Sequence, residues 1–251
     1  MNDARPPQGA QAALRAVRLL KLFTIERSEM SLAEVSKLSG LNKTTTHRLL
    51  RALQSEGLID RNALSARYSL GAVLMALGVQ ALASSDLRRR ARPLLKLLAH
   101  ESGETATLEV PIEDSMLVLD EVTGRHVMGA GGHVGTRWPL HATSTGKAVL
   151  AFDDYGLERL PTSMTPLTRK TLINKNSFRP QLVDIRRRGY AEAVDELEDG
   201  FTAVATVIRG ALGDVQGALS ICGPTQRLTS ARRAEFGASL CKVASRLSPE
   251  K

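Results

Sequence analysis

Residues 31–61 read SLAEVSKLSGLNKTTTHRLLRALQSEGLIDR. Ser31 is followed three positions on by Glu34, the capping-box signature of a helix start. Gly40 stands where a helix end needs positive φ. After Leu41, Asn42 is a fitting N-cap for a second helix, which runs from Lys43 to about Glu56 and stops at Gly57. Two β-prone pieces follow, 58–61 and 67–70, around a polar loop, and together they read as a hairpin. Two helices joined by a short glycine-containing turn, with a hairpin behind them, are the ingredients of a winged helix-turn-helix.

Three consecutive threonines in the first turn of the second helix conflict with helix propensity, because β-branched side chains lose rotamer freedom there. A helical wheel at about 100° per residue separates them. Thr46 falls with Leu49, Leu50 and Leu53 on an apolar side. Thr44, Arg48, Arg51 and Ser55 fall opposite, with Lys43, Thr45 and His47 on the flanks. Arginine can hold guanine in a bidentate pair, threonine offers a hydroxyl to bases and a methyl to thymine, and helix-start amides suit a phosphate. Thr44, Thr45, His47 and Arg48 are therefore expected to read bases. Lys43, Arg51, Arg61 and Arg67 are expected to hold phosphates, and Ser31 is assigned to the same surface. The competing reading is an ordinary solvated helix.

Charge supports the DNA reading. The 251 residues carry net +8, and residues 1–92 hold 15 Lys/Arg against 7 Asp/Glu, while the remainder is balanced. A basic module joined to a neutral one suits a polyanionic partner. With 43% hydrophobic residues and only two cysteines, a disulfide framework is excluded and a reducing cytoplasm expected. No stretch has the length and apolarity of a signal or a membrane span.

A polar tail is expected over 1–11, the DNA-binding domain over 12–71, a linker helix over 72–86 and a second domain over 87–251. Pro93 is read as lying near the start of that domain's first helix. Residues 105–122 read as two strands about an Asp-Ser turn, continuing into a strand from 125. A short helix opens in TSTGK, a polar helix spans 177–189, and 201–224 form two strands about a Gly-Asp turn. A long amphipathic helix ends the chain. Hairpins outnumber βαβ units, so the second domain is expected to be α+β with a mainly antiparallel sheet.

The stretch SLAEVSKLSGLNKTTTHRLLRALQSEGLIDR, with RYSLG behind it, resembles the winged helix of the IclR family of bacterial transcriptional regulators. PLHATSTGKAVLA, RRRGYAEAVDELEDGFTAVA and ALSICGP resemble that family's later stretches, so the likeness spans about 12–248. Two departures are small: Ser36 stands where members usually have Ala, and Thr46 where they have Val or Ile. The resemblance implies a GAF-like effector domain that binds a small organic acid, and a homodimer or dimer of dimers on an operator in double-stranded DNA. It implies a repressor of a catabolic operon and no cofactor.

Ser144, Thr145 and Gly146 begin a helix, where free amides suit a carboxylate, though plain capping explains them as well. By resemblance, polar positions of acid-binding relatives fall on Ala193, Ala203, Ser220 and Cys222. Three of those four are less polar here, which points to a larger, more apolar acid, aromatic or cyclic. Asp195 and Glu196 are candidates to compensate. The alternatives are a vestigial sensor without ligand, and an acyl-transfer or hydrolytic enzyme using Cys222 with His141 as base. Neither GAGGHVG (129–135) nor HATSTGK (141–147) has the spacing of a nucleotide loop. His126, His133 and His141 lack a cysteine pair for a zinc pattern, so no metal is expected.

Overall fold

The computed structural model describes residues 9–24, 27–126 and 134–248. The chain divides into two compact units, with the break after Ser84.

In the first unit, α1 (Gln11–Leu20), α2 (Leu32–Ser39) and α3 (Lys43–Ser55) enclose a core that includes Leu19, Met30, Val35, Leu50, Ile59 and Tyr68. Both halves of the capping box form. The Glu34 N–H donates to Ser31 Oγ at 3.3 Å, and the Ser31 N–H donates to Glu34 Oε2 at 2.7 Å. Gly40 takes φ +69 and turns the chain. The Thr45 N–H then donates to Asn42 Oδ1 at 2.8 Å, fixing the start of α3. Replacing this cap, Asn42→Ala, is expected to cost roughly 0.5–2 kcal/mol. Urea unfolding would measure it, and an unchanged midpoint would show the cap to be idle.

The two departures at Ser36 and Thr46 each recover a hydrogen bond. Ser36 Oγ donates to Leu41 O at 2.6 Å and Thr46 Oγ1 to Asn42 O at 3.0 Å. Thr46 is fully buried. At Thr46 the satisfied hydroxyl offsets much of what the lost methyl contact costs, Ser36 adds its hydroxyl without losing a methyl, and both bonds close onto the turn between α2 and α3.

The wing is β2 (Ile59–Arg61) paired antiparallel with β3 (Tyr68–Leu70). A third strand, β1 (Glu29–Met30), pairs with the free edge of β3. Two residues are too few for alternation to announce a strand, so β1 goes unread in the sequence. Helix α4 (Ala72–Ser84) ends the unit. Residues 1–8 of the expected tail lie outside the described residues, and α1 already begins at Gln11.

The second unit opens with α5 (Asp86–Ser102), capped by Ser85, whose side chain accepts from the Arg88 N–H. Pro93 lies well inside α5 rather than near its start. The division at Ser84 also corrects the charge ledger. The first unit holds eleven Lys/Arg against six Asp/Glu, net +5. The rest of the excess sits on α5, where Arg88 and Arg92 pair with buried Asp120.

Six strands form one antiparallel sheet in the order β6-β5-β4-β9-β8-β7. They are β4 (Thr105–Ile112), β5 (Ser115–Val122), β6 (Arg137–Pro139), β7 (Ala191–Val194), β8 (Phe201–Arg209) and β9 (Val215–Pro224). The β4–β5 turn is Glu113–Asp114, with Glu113 at φ +55, and Ser115 already pairs with Ile112. No strand forms at Arg125 or His126, and residues 127–133 lie outside the described residues.

Helices α5 and α8 (Ser230–Ser245) cover one face, against Ala106 and Leu108 of β4 and Leu219 and Ile221 of β9. The other face carries α6 (Ser144–Phe152) and α7 (Lys175–Arg188). Strand alternation sends Thr107, Glu109, Ser220 and Cys222 to this second face. The polar members of otherwise apolar strands thus gather beneath the start of α6.

Candidate functional site

In the first unit, α3 buries Thr46, Leu49, Leu50 and Leu53 and exposes Lys43, Thr44, His47, Arg48 and Arg51. Thr45 is half-buried. The hydroxyl oxygen of Ser31 is engaged in the cap of α2. On the wing, the exposed Arg61 guanidinium lies 5.6 Å from the centre of the Tyr68 ring, which limits its wander. Arg67 is differently placed. It donates to Glu29 O at 2.9 Å and pairs with Glu34 at 3.0 Å, bracing the wing onto α2. The backbone bond from Ser31 holds the Glu34 carboxyl below its usual range, and Arg67 adds to that. An arginine so engaged is less available to a phosphate than Arg61.

The second unit contains a cavity of about 380 Å³ between the sheet and the start of α6. That lies within the size range of small-molecule sites. Ala193, Ala203 and Cys222 stand side by side across β7, β8 and β9, and their small side chains leave the space. Thr107 and Ser220 face each other across β4 and β9, their hydroxyls 2.7 Å apart. Ser144 and Thr145 line the cavity from α6. Apolar walls come from Val118, Trp138, Leu197, Phe201 and Pro224. Thr143 caps α6 by accepting from the Gly146 N–H at 3.1 Å. The amides of Ser144 and Thr145, in the first turn, lack intrahelical acceptors by the geometry of any helix start.

Six of the eight sequence-derived ligand residues line this cavity: Ser144, Thr145, Ala193, Ala203, Ser220 and Cys222. Gly146 does not. It lets α6 approach the 3-10 turn Leu140–Ala142, since a Cβ there would lie 2.2 Å from Leu140 O. Asp195 does not either. It pairs with Lys170 at 2.6 Å and accepts from the Gly200 N–H at 3.0 Å, closing the β7–β8 loop. Glu196 is committed to Lys147, with the two side chains 2.5 Å apart and both buried. Neither acid compensates for Ala193 and Ala203.

Sequence reasoning missed Glu109, which is buried in the cavity wall. The signal was present, as a lone charge in the uncharged run TATLEVPI. No Lys, Arg or His lines the cavity among the described residues.

The remaining sequence candidates resolve physically. Burial pushes the Cys222 thiol far up, the opposite of what a nucleophile needs. His141 Nε2 lies 3.0 Å from Thr165 O. The lysine of HATSTGK, Lys147, is buried in its ion pair and is not presented to a phosphate. Among the described residues no cluster suits a metal, and His133 lies outside them. No helix among the described residues is long and apolar enough to cross a membrane.

Comparison with known proteins places this geometry. A family model described as the bacterial transcriptional regulator IclR C-terminal domain matches residues 79–249. The IclR helix-turn-helix domain model matches residues 12–63. The HTH-type transcriptional regulator XynR of Escherichia coli is 32% identical, over 90% of this chain and 91% of that protein. The transcriptional repressor IclR of the same organism is 30% identical, over 93% and 87%. The crystal structure of an IclR-type transcriptional regulator from a Silicibacter species superposes with a TM-score of 0.85 at 26% identity, covering 94% of each chain.

Proposed function

The chain belongs to the IclR family of bacterial transcriptional regulators, and we propose that it is a cytoplasmic repressor of a catabolic operon, released from DNA by a small organic acid. The observation that carries ligand control is the cavity, walled by apolar side chains and opening on the first turn of α6. Its walls suit a cyclic or aromatic body, and the Ser144 and Thr145 amides suit the carboxylate. The observation that carries sequence reading is the exposed face of α3, with Arg48 between Thr44 and Arg51 on the side away from the core. Bases are read by Thr44, Thr45, His47 and Arg48, and phosphates are held by Lys43, Arg51 and Arg61, with Arg67 the weakest of the set.

A homodimer fits this reading, because two-fold operators need two recognition helices. Helix α4 presents Val73, Met75, Leu77 and Val79, all exposed. Val73 and Leu77 fall on one side of α4 and Met75 and Val79 on the other, and a helix left apolar on both sides suits a second copy.

Thermal-shift screening of cyclic and aromatic acids against small keto-acids tests the effector class. Stabilisation by the ring-bearing acids is expected. Selective stabilisation by glyoxylate or pyruvate would overturn it, and no shift with any acid would favour a vestigial sensor. Arg61→Ala is expected to weaken operator and random DNA alike and to lower the salt slope by about one. Loss confined to the operator would make Arg61 a base reader instead.

A further inference from the structure

The cavity carries a carboxyl group where an acid is expected to bind, and this inference rests on reading that cavity as the effector site. Glu109 is 5% exposed. Its Oε2 accepts from Thr145 Oγ1 at 2.7 Å, and its Oε1 from Thr107 Oγ1 at 2.9 Å. Thr145 belongs to the first turn of α6, so the carboxyl sits beside the amides proposed for the effector. From β9, Ser220 and Cys222 face the same space. From α6, Ser144 and Thr145 do, and from the β7–β8 loop Leu197 and exposed Glu198. Glu121 on β5 adds a like charge. No cation lines the cavity among the described residues to offset Glu109. An ionised Glu109 and an effector carboxylate would repel at close range in a poorly solvated space.

We propose that Glu109 is the residue that reads the effector's carboxylate: in the complex it is a neutral carboxylic acid whose O–H donates to that carboxylate. Whenever Glu109 is ionised in the free protein, binding takes up one proton from solvent, and that proton ends on the Glu109 oxygen facing the ligand. Each Glu109 oxygen keeps a lone pair for its threonine. Burial, the largest influence, already pushes the Glu109 carboxyl up, and the two threonine hydroxyls oppose this. The sign follows. The binding form is the protonated one, so acid affinity is full below the free-state pKa of Glu109 and falls as pH rises through it. Where it is neutral, the same carboxyl gives an ammonium-bearing ligand no counter-charge.

The experiment is calorimetry on the full-length protein with benzoate, cyclohexanecarboxylate and benzylamine, between about pH 5 and pH 8, in two buffers of different ionisation enthalpy. For the acids, affinity is expected to fall by up to about tenfold per pH unit at the alkaline end, with uptake of up to one proton. Benzylamine is expected not to bind at the pH where acid affinity is full. Glu109→Gln, whose amide donates without titrating, is expected to bind the acids with a flat pH profile. Acid binding that is flat with pH, without proton uptake in the wild type and no weaker in Glu109→Ala would overturn the role of Glu109 while leaving the effector reading intact. Benzylamine binding at that same pH that Glu109→Gln abolishes would overturn it too, by showing the group to be an ionised acceptor there. If no acid binds at any pH, the effector reading itself fails, and this proposal with it. Proton uptake by the wild type supports the proposal even if a variant does not fold.

Discussion

Lys147→Ala is expected to lower the stability of the C-terminal unit by roughly 3–5 kcal/mol. Lys147 lies on α6 with only 1% of its side chain exposed, 2.5 Å from the Glu196 carboxylate. Its Nζ also donates to Glu192 O at 3.4 Å. Burial pushes the lysine down and Glu196 up, each toward its neutral form, and each partner opposes the shift in the other. Removing the lysine leaves Glu196 buried without its counter-charge, a loss far larger than that of a surface pair. The consequence reaches function, because the pair ties α6 to the β7–β8 loop and both line the ligand cavity. Denaturant unfolding followed by circular dichroism measures the loss. The double variant Lys147→Met with Glu196→Leu is expected to recover most of it, since matched apolar replacement of a buried pair is often near neutral. A single variant within about 1 kcal/mol of wild type would mean that Glu196 reaches solvent once its partner is gone.

Arg48→Ala is expected to reduce operator affinity by roughly 5- to 150-fold, the value of about 1–3 kcal/mol for a bidentate base contact. Affinity for random DNA should change much less, since one phosphate-neutralising charge is a small part of the nonspecific interaction. Arg48 is exposed on α3, while Leu49 and Leu50 beside it are buried. Truncation at 48 therefore spares the core, and a fall in binding is not a fall in folding. Fluorescence anisotropy on operator and scrambled duplexes separates the two effects. Equal affinity of variant and wild type for the operator would mean that another part of α3 faces the bases.

The helix-turn-helix was legible because its determinants are local. Ser31 with Glu34, Gly40 and Asn42 act within four residues of themselves, and each forms the contact its spacing implies. The inward turn of Thr46 follows from helical periodicity alone. What went unread depends on distant partners. β1 exists only because β3 presents an edge to it. Asp195 and Glu196 looked available for a ligand until folding brought Lys170 and Lys147 to them. The break between the units was masked by two consecutive helices, although Ser85 before Asp86 is itself a start signal. Glu109 is the instructive omission. A charge at an inward strand position was on the page, but its use depends on where α6 lands.

A small acid in the C-terminal cavity is proposed to control sequence-specific DNA binding by the N-terminal unit. The most direct test of this control is anisotropy with a duplex enriched by the full-length protein from a random pool, titrated with and without an acid that raises the melting temperature. The expected result is an affinity for the enriched duplex about 10³-fold or more above that for random DNA, which the acid then weakens. Equal affinity for enriched and random duplexes would contradict this control, as would operator binding that an acid saturating the cavity leaves unchanged.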